Sequence, residues 1–213
     1  LNEISSYMKT SALAIQQFSK DEQKLKSETS ALLEHVPEYL SDMCQVLSDT
    51  KPSVFIGTAV AEISSIKFKN AGIKQEMKIP ECGDKCGNSS AQLILGKSLL
   101  EKYKDSDSLC VGTSIFNDDL LSITSNYSSE ENFGRWSAVY GTVIYRYIND
   151  SVSKHEVDNS TKKPLGLIRI PLWPGKIPQG KEIKCHSWID NMAWNWMGCK
   201  TAKQKMVNNK KII

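Results

Sequence analysis

The sequence predicts an α+β chain in which a short helical opening is followed by an antiparallel β-sandwich. Three observations predict it. Residues 1 to 48 contain no glycine and a single proline, and their apolar side chains recur at helical spacing. After Lys51-Pro52, short apolar runs rich in β-branched and aromatic residues take over. Clusters of Gly, Pro, Asn and Ser separate those runs, as turns separate strands.

In the opening, Ile4, Met8, Leu13, Ile15 and Phe18 form a first apolar series. Leu25, Leu32, Leu33, Val36, Leu40, Met43, Val46 and Leu47 form a second. Ser19-Lys20-Asp21-Glu22 reads as a helix start, with acidic side chains in the turn where the helix dipole favours them. Pro37 reads as the first-turn residue of a fresh helix, where its missing N–H costs nothing. The reading is two or three amphipathic helices, whose stripes must pack on each other or on the remaining chain.

The strands are expected over 54–56, 59–68, 73–79, 92–95, 109–116, 120–124, 136–148, 165–172 and 183–188. Ile66-Lys67-Phe68-Lys69 alternates apolar and polar residues, as a half-buried strand does. The run from Val139 to Ile148 is the longest and most aromatic, and is expected at the sheet centre. The polar stretches 125–133 and 149–163 are expected as long exposed loops. The composition change near residue 50 divides the chain into a helical part, 1–50, and a β part, 51–213.

Composition narrows the function. Apolar residues make up 40% and charged residues 24% of 213, the balance of a chain that forms a core. The net charge of +3 is spread over interspersed Lys and Asp/Glu, with no basic stripe between aromatics, so no nucleic-acid partner is expected. No eighteen-residue apolar run is present to span a bilayer. No basic start followed by an apolar stretch opens the chain, which begins with Leu; it reads as a piece of a longer protein.

Two features point to the secretory pathway. Six cysteines, Cys44, Cys82, Cys86, Cys110, Cys185 and Cys199, are an even number compatible with disulfides. Four Asn-x-Ser/Thr acceptors, at Asn88, Asn126, Asn149 and Asn159, lie in polar stretches where a glycan is solvated. Among the first four cysteines the favoured bridge joins Cys82 or Cys86 to Cys110, with the three arrangements of Cys44, Cys82, Cys86 and Cys110 left open. Cys82-Gly-Asp-Lys-Cys86 lacks a second Cys/His pair for zinc, and Asn117-Asp118-Asp119 lacks the spaced ligands of a calcium loop. No phosphate loop or nucleophile elbow is present, and no cofactor or metal is expected.

The most informative segment runs from Cys185 to Cys199, where two cysteines bracket Trp188, Trp194 and Trp196. Physically this is a compact corner, aromatic rings packed near sulfur. The spacing Cys-x-x-Trp, a gap, then Trp-x-x-x-Gly-Cys resembles the first half of the GPCR proteolysis site. That site closes the GAIN domain of adhesion G-protein-coupled receptors and of polycystin-type proteins. The matching residues are Cys185, Trp188, Trp194, Gly198 and Cys199. The runs 109–116, 139–145 and 164–172 are similar to strands of that domain, and the opening helices to the end of its helical subdomain.

The departures have chemical consequences. Ser187 stands where the family has an aromatic residue, and Ile189 where it has Asp or Asn. After Cys199 the chain runs from Lys200 to Ile213 without the family's Cys-x-Cys or its His-Leu-Ser/Thr. Family self-cleavage uses that His as general base and that Ser or Thr as nucleophile. Neither stands at the required place; His186 falls between two motif positions, and His35 and His155 read as solvated side chains. No catalytic residue is therefore assigned, and the chain is not expected to be an enzyme.

The resemblance implies a GAIN-like fold with residues 1–50 as the C-terminal part of a larger helical subdomain and 51–213 as a sandwich ending in a truncated proteolysis site. The implied function is the extracellular regulatory domain of an adhesion-type receptor, sheathing a tethered agonist strand at the plasma membrane. The implied partners are that downstream strand, a seven-helix membrane domain of the same parent and an extracellular protein ligand. The alternatives are a secreted or surface adhesive glycoprotein and the ectodomain of a polycystin-like channel. Exposure separates them: in a receptor, Leu13, Phe18, Leu25 or Leu32 should be partly uncovered by this chain, and in a stand-alone protein fully covered.

Overall fold

The structure is a computed structural model that describes residues 1–18, 20–69, 76–79, 91–102, 108–116, 137–148, 151–154, 166–172, 187–189, 193–195, 205–207 and 210–212. Two N-terminal helices are followed by antiparallel β-sheets, an α+β fold as the sequence predicts.

Helix α1 spans Asn2–Gln17 and buries Ile4, Met8, Ala12 and Ile15, a stripe at three- and four-residue spacing. Helix α2 spans Glu22–Gln45. Its N-cap is Asp21, whose carboxylate accepts from the Lys24 N–H at 3.2 Å, satisfying one amide that the first turn leaves without a partner. Its buried stripe is Leu25, Thr29, Leu32, Val36, Leu40, Met43 and Cys44.

Pro37 does not begin a new helix; it lies inside α2. A mid-helix proline removes one intrahelical hydrogen bond and costs about 3 kcal/mol. Continuity is held by packing, since Val36 and Leu40 on either side are both buried in the core, and by a tyrosine hydroxyl that binds the Pro37 carbonyl.

A five-stranded antiparallel sheet forms from β1 (Ser53–Gly57), β2 (Ala61–Lys69), β5 (Ser108–Phe116), β6 (Val139–Ile148) and β7 (Ser151–Lys154), in the order β1-β2-β5-β6-β7. The middle strand is β5, not 139–148 as expected. All nine residues of β5 are buried, because it has strands on both edges and packed layers on both faces. Strand β7 lies within the stretch read as an exposed loop. Its Ser-Val-Ser-Lys sequence is too short and polar to signal a strand, and pairing with β6 decides it.

A second sheet has the order β3-β4-β8, from β3 (Glu76–Ile79), β4 (Ala91–Leu95) and β8 (Gly166–Arg169). A short helix, α3 (Lys97–Lys102), follows β4. Two hairpins complete the described elements: β9 (Ser187–Ile189) with β10 (Ala193–Asn195), and β11 (Lys205–Val207) with β12 (Lys210–Ile212). The expected strand 120–124 and the loop 125–133 lie outside the described residues.

Two apolar cores lie on opposite faces of the five-stranded sheet. On one face, Met8, Leu32, Leu40 and Met43 of the helices meet Ile56, Ala61, Ile63, Cys110, Phe116 and Tyr145. On the other, Ile66, Leu109 and Val111 meet Met77, Ile79, Leu93 and Leu95 of the second sheet and Leu99 of α3. Strand alternation makes this possible: Cys110 and Phe116 join the helix-side core, Leu109 and Val111 the sandwich-side core. The result is three layers, helices on sheet on sheet.

Candidate functional site

The helix face of the sheet carries a polar and covalent seam. Cys44 near the end of α2 is disulfide-bonded to Cys110 of β5, 66 residues away in sequence and with both residues fully buried. This corrects the favoured pairing of Cys110 with Cys82 or Cys86. The amphipathic stripe of α2 lays Cys44 against the middle strand, which sequence spacing does not reveal. A signal was present: Cys44 continues the apolar series Leu40, Met43 and Leu47.

Three hydroxyls reinforce the seam. The Tyr145 hydroxyl donates to the Pro37 carbonyl at 2.7 Å, and the Tyr147 hydroxyl to the Cys44 carbonyl at 2.6 Å. The Ser65 hydroxyl donates to the Leu40 carbonyl at 3.2 Å. Positions 37, 40 and 44 share one face of the helix, and Tyr145 stands directly opposite Cys110 in the sheet. Burial, and then the charge of Asp42, pushes the Tyr145 phenol above its ordinary range. Burial pushes that of Tyr147 up to about 12.

Close approach at the seam needs Gly112. A Cβ there would stand 3.0 Å from Leu40 Cβ and 3.2 Å from the Tyr145 ring. At the rim, Lys67 Nζ lies 4.6 Å from the Tyr147 ring centre and 3.8 Å from Asp49. The same lysine, with Ser48, Asp49 and Pro52, lines a shallow open cleft.

The sandwich face is built differently. Cross-strand register sets Glu62, Ile115 and Tyr140 in one row and Ser64, Thr113 and Thr142 in the next. The next row, Ile66, Val111 and Ile144, is apolar, and the one after it pairs Phe68 and Leu109 with Arg146. Ser64 and Thr113 share a buried hydroxyl hydrogen bond of 2.7 Å. Glu62 Oε2 and Thr142 Oγ1 are buried with no hydrogen-bond partner. Burial, and then the Glu62 charge, raises the Tyr140 phenol well above its ordinary range.

On the helical surface, Tyr7, His35 and Tyr39 form an aromatic group, with ring centres 5.4 to 5.9 Å apart. His35 Nδ1 lies 3.4 Å from Glu38, on an exposed side chain as expected. Among the described residues no group of three or more His, Cys, Asp or Glu could hold a metal ion, and no helix is long and apolar enough to cross a membrane.

Of the Cys/Trp segment, the structure describes the hairpin β9–β10, in which Trp188 stands directly opposite Trp194. Cys185, Gly198 and Cys199 lie outside the described residues, as do Cys82, Cys86, His155, His186, the pair Asp118-Asp119 and the acceptors Asn88, Asn126, Asn149 and Asn159. The Glu62/Tyr140 and Ser64/Thr113/Thr142 rows were not anticipated from sequence. Their signal is the short polar run Glu62 to Ser65, broken by one Ile, which interrupts the apolar-polar alternation that resumes at Ile66.

The fold is like one found within a longer extracellular region of known structure. The chain is similar to the full extracellular region of zebrafish Gpr126/Adgrg6, with a TM-score of 0.56, 15% sequence identity and a match over 90% of this chain. The match spans 26% of that longer chain. No protein-family profile matches the sequence, and no curated protein matches it.

Proposed function

We propose that this chain is an extracellular regulatory domain of an adhesion-type receptor, acting as a non-enzymatic sheath for a strand that follows it in the parent protein. The observation that carries the reading is the helices-then-sandwich architecture shared with an adhesion-receptor extracellular region over nine-tenths of the chain. The Cys/Trp/Gly spacing supports it independently, and the Trp188–Trp194 pairing gives that spacing a hairpin geometry. The buried acceptor of Glu62 and hydroxyl of Thr142 are the kind of groups that a further segment's polar atoms would satisfy.

The parts of the sheath have separate roles. The helix-side seam holds a rigid base. The sandwich side is the half on which a strand would be held by backbone hydrogen bonds and apolar contact until removed. Plasma-membrane attachment, a seven-helix partner and an extracellular ligand belong to the same proposal. Exposure at the helices divides: Leu13 is 66% exposed and Phe18 is partly exposed, whereas Leu25 and Leu32 are covered by this chain. A single exposed leucine is ordinary, so the architecture outweighs this criterion.

The test is to read about thirty codons of the parent transcript beyond Ile213. A Cys-x-Cys, then His-Leu-Ser/Thr, then an apolar span of about twenty residues upholds the receptor sheath. A stop codon without that motif overturns it and leaves a surface adhesive glycoprotein as the better account.

A further inference from the structure

We infer that the Cys44–Cys110 bond is a mechanical bypass: tension arriving through the helices crosses from α2 straight to the middle strand β5, and none of it runs along the backbone of residues 45–109. Its regulatory meaning rests on the receptor reading above, but the geometry does not. The bond joins the last turn of α2 to the third residue of β5. Strands β1 to β4 and helix α3 therefore lie inside a closed covalent loop.

The topology makes the point of entry matter. Without the bond, tension following the chain out of α2 would first reach β1, an edge strand paired only with β2. An edge strand pulled from one end opens its antiparallel ladder one hydrogen-bonded pair at a time. With the bond, the first strand loaded is β5, which is paired along its length with both β2 and β6 and buried at every residue. Extracting it requires breaking two ladders and two apolar faces together.

The seam serves the same end. The hydroxyls of Ser65, Tyr145 and Tyr147 bind three α2 carbonyls on the stripe that ends at Cys44. They hold the last two turns of α2 on the sheet under small loads, and the disulfide takes over when they yield. A receptor domain so built transmits tension from an N-terminal attachment to its C-terminal half with residues 45–109 still folded.

Single-molecule stretching between the two chain ends tests this. In the oxidised wild type, the helices detach as far as Cys44 and the next event is a high-force extraction of β5. In the Cys44→Ala/Cys110→Ala variant, a new low-force event from β1 should precede it. The total released chain should grow by roughly 220–240 Å for the 66-residue span, at 3.3–3.6 Å per residue. The growth in length follows from any bridge between these positions; the order and force of events do not. Identical event order and force in both proteins would overturn the bypass.

A second variant keeps the test alive if the double alanine protein does not fold. Tyr145→Phe/Tyr147→Phe retains the disulfide and should lower the force of helix detachment only. A matching fall in the force of β5 extraction would overturn the proposal, because the bond would then not isolate the strand from the seam. Either result is independent of what the parent transcript encodes, so failure of the bypass and failure of the receptor reading are told apart.

Discussion

On its helix side the five-stranded sheet meets α2 through a disulfide and three hydroxyl-to-carbonyl bonds, as well as apolar packing. On its sandwich side it meets β3, β4 and β8 through apolar contact at one end. At the other end stand two rows containing buried polar atoms without partners. Both faces bury apolar side chains completely, so complete burial by itself does not distinguish them. Polar satisfaction at the sheet surface does. A buried hydroxyl with a partner adds a little stability, whereas one without costs its full desolvation. The contact of α2 with the sheet is therefore the settled part of the molecule; among the described residues one buried hydroxyl of the helical layer, Thr29 Oγ1, has no hydrogen-bond partner, and the sandwich face has two such atoms, Glu62 Oε2 and Thr142 Oγ1.

The comparison can be broken by substitution. The largest effect belongs to Cys44→Ala/Cys110→Ala, which opens a 66-residue loop and should cost about 4 kcal/mol, read from chemical denaturation. A loss near zero would mean that the seam is held without its covalent link. Leu93→Ala, in the buried core of the sandwich side, should cost about 3 kcal/mol by leaving a cavity. Its loss should leave the α2 helical signal in place at intermediate denaturant, if the two faces open separately.

Alkaline pH probes the seam more gently. The folded phenol of Tyr147 is raised to about 12 from an ordinary 10.0, so the fold holds that proton more tightly than the unfolded chain does. Its contribution is complete below pH 10.0 and is lost as pH rises through about 12. Helical ellipticity against pH should fall across that window, and Tyr147→Phe should shift the fall, since phenylalanine has no proton to lose. At neutral pH the same variant should cost about 1 kcal/mol for one hydrogen bond. The smallest effect has the opposite sign. Thr142→Val removes a buried hydroxyl without a partner and should stabilise the isolated chain by up to about 1 kcal/mol. A destabilisation of that size would mean that the Thr142 hydroxyl already has a partner.

Much of this architecture was legible before the structure. The start of α2 near Asp21-Glu22, most of both helical stripes and most described strands follow from local patterns that burial then exploits, whereas Leu13 and Val46 of the expected stripes are exposed. What escaped has a common cause, since it depended on contacts distant in the chain. Pro37 reads locally as a helix start, but the core around Val36 and Leu40 and the Tyr145 hydroxyl keep α2 continuous. Strand β7 exists because β6 offers it an edge. The aromatic content of 139–148 reflects Tyr145 and Tyr147 reaching across to α2, with Tyr140 on the sandwich face, rather than a central position. The partner of Cys110 was set by how α2 lies on β5. The Cys/Trp spacing was legible as a resemblance, and its hairpin register emerges only from the fold.

The most direct test of the two-faced account is native-state amide hydrogen exchange on the isolated, oxidised chain. The account predicts one slowest-exchanging group made of the last turns of α2 with β5 and β6. A distinctly faster group should comprise β3, β4 and β8, where Leu167 is 47% exposed. Equal protection of the two groups, or faster exchange in α2 than in β4, would contradict it.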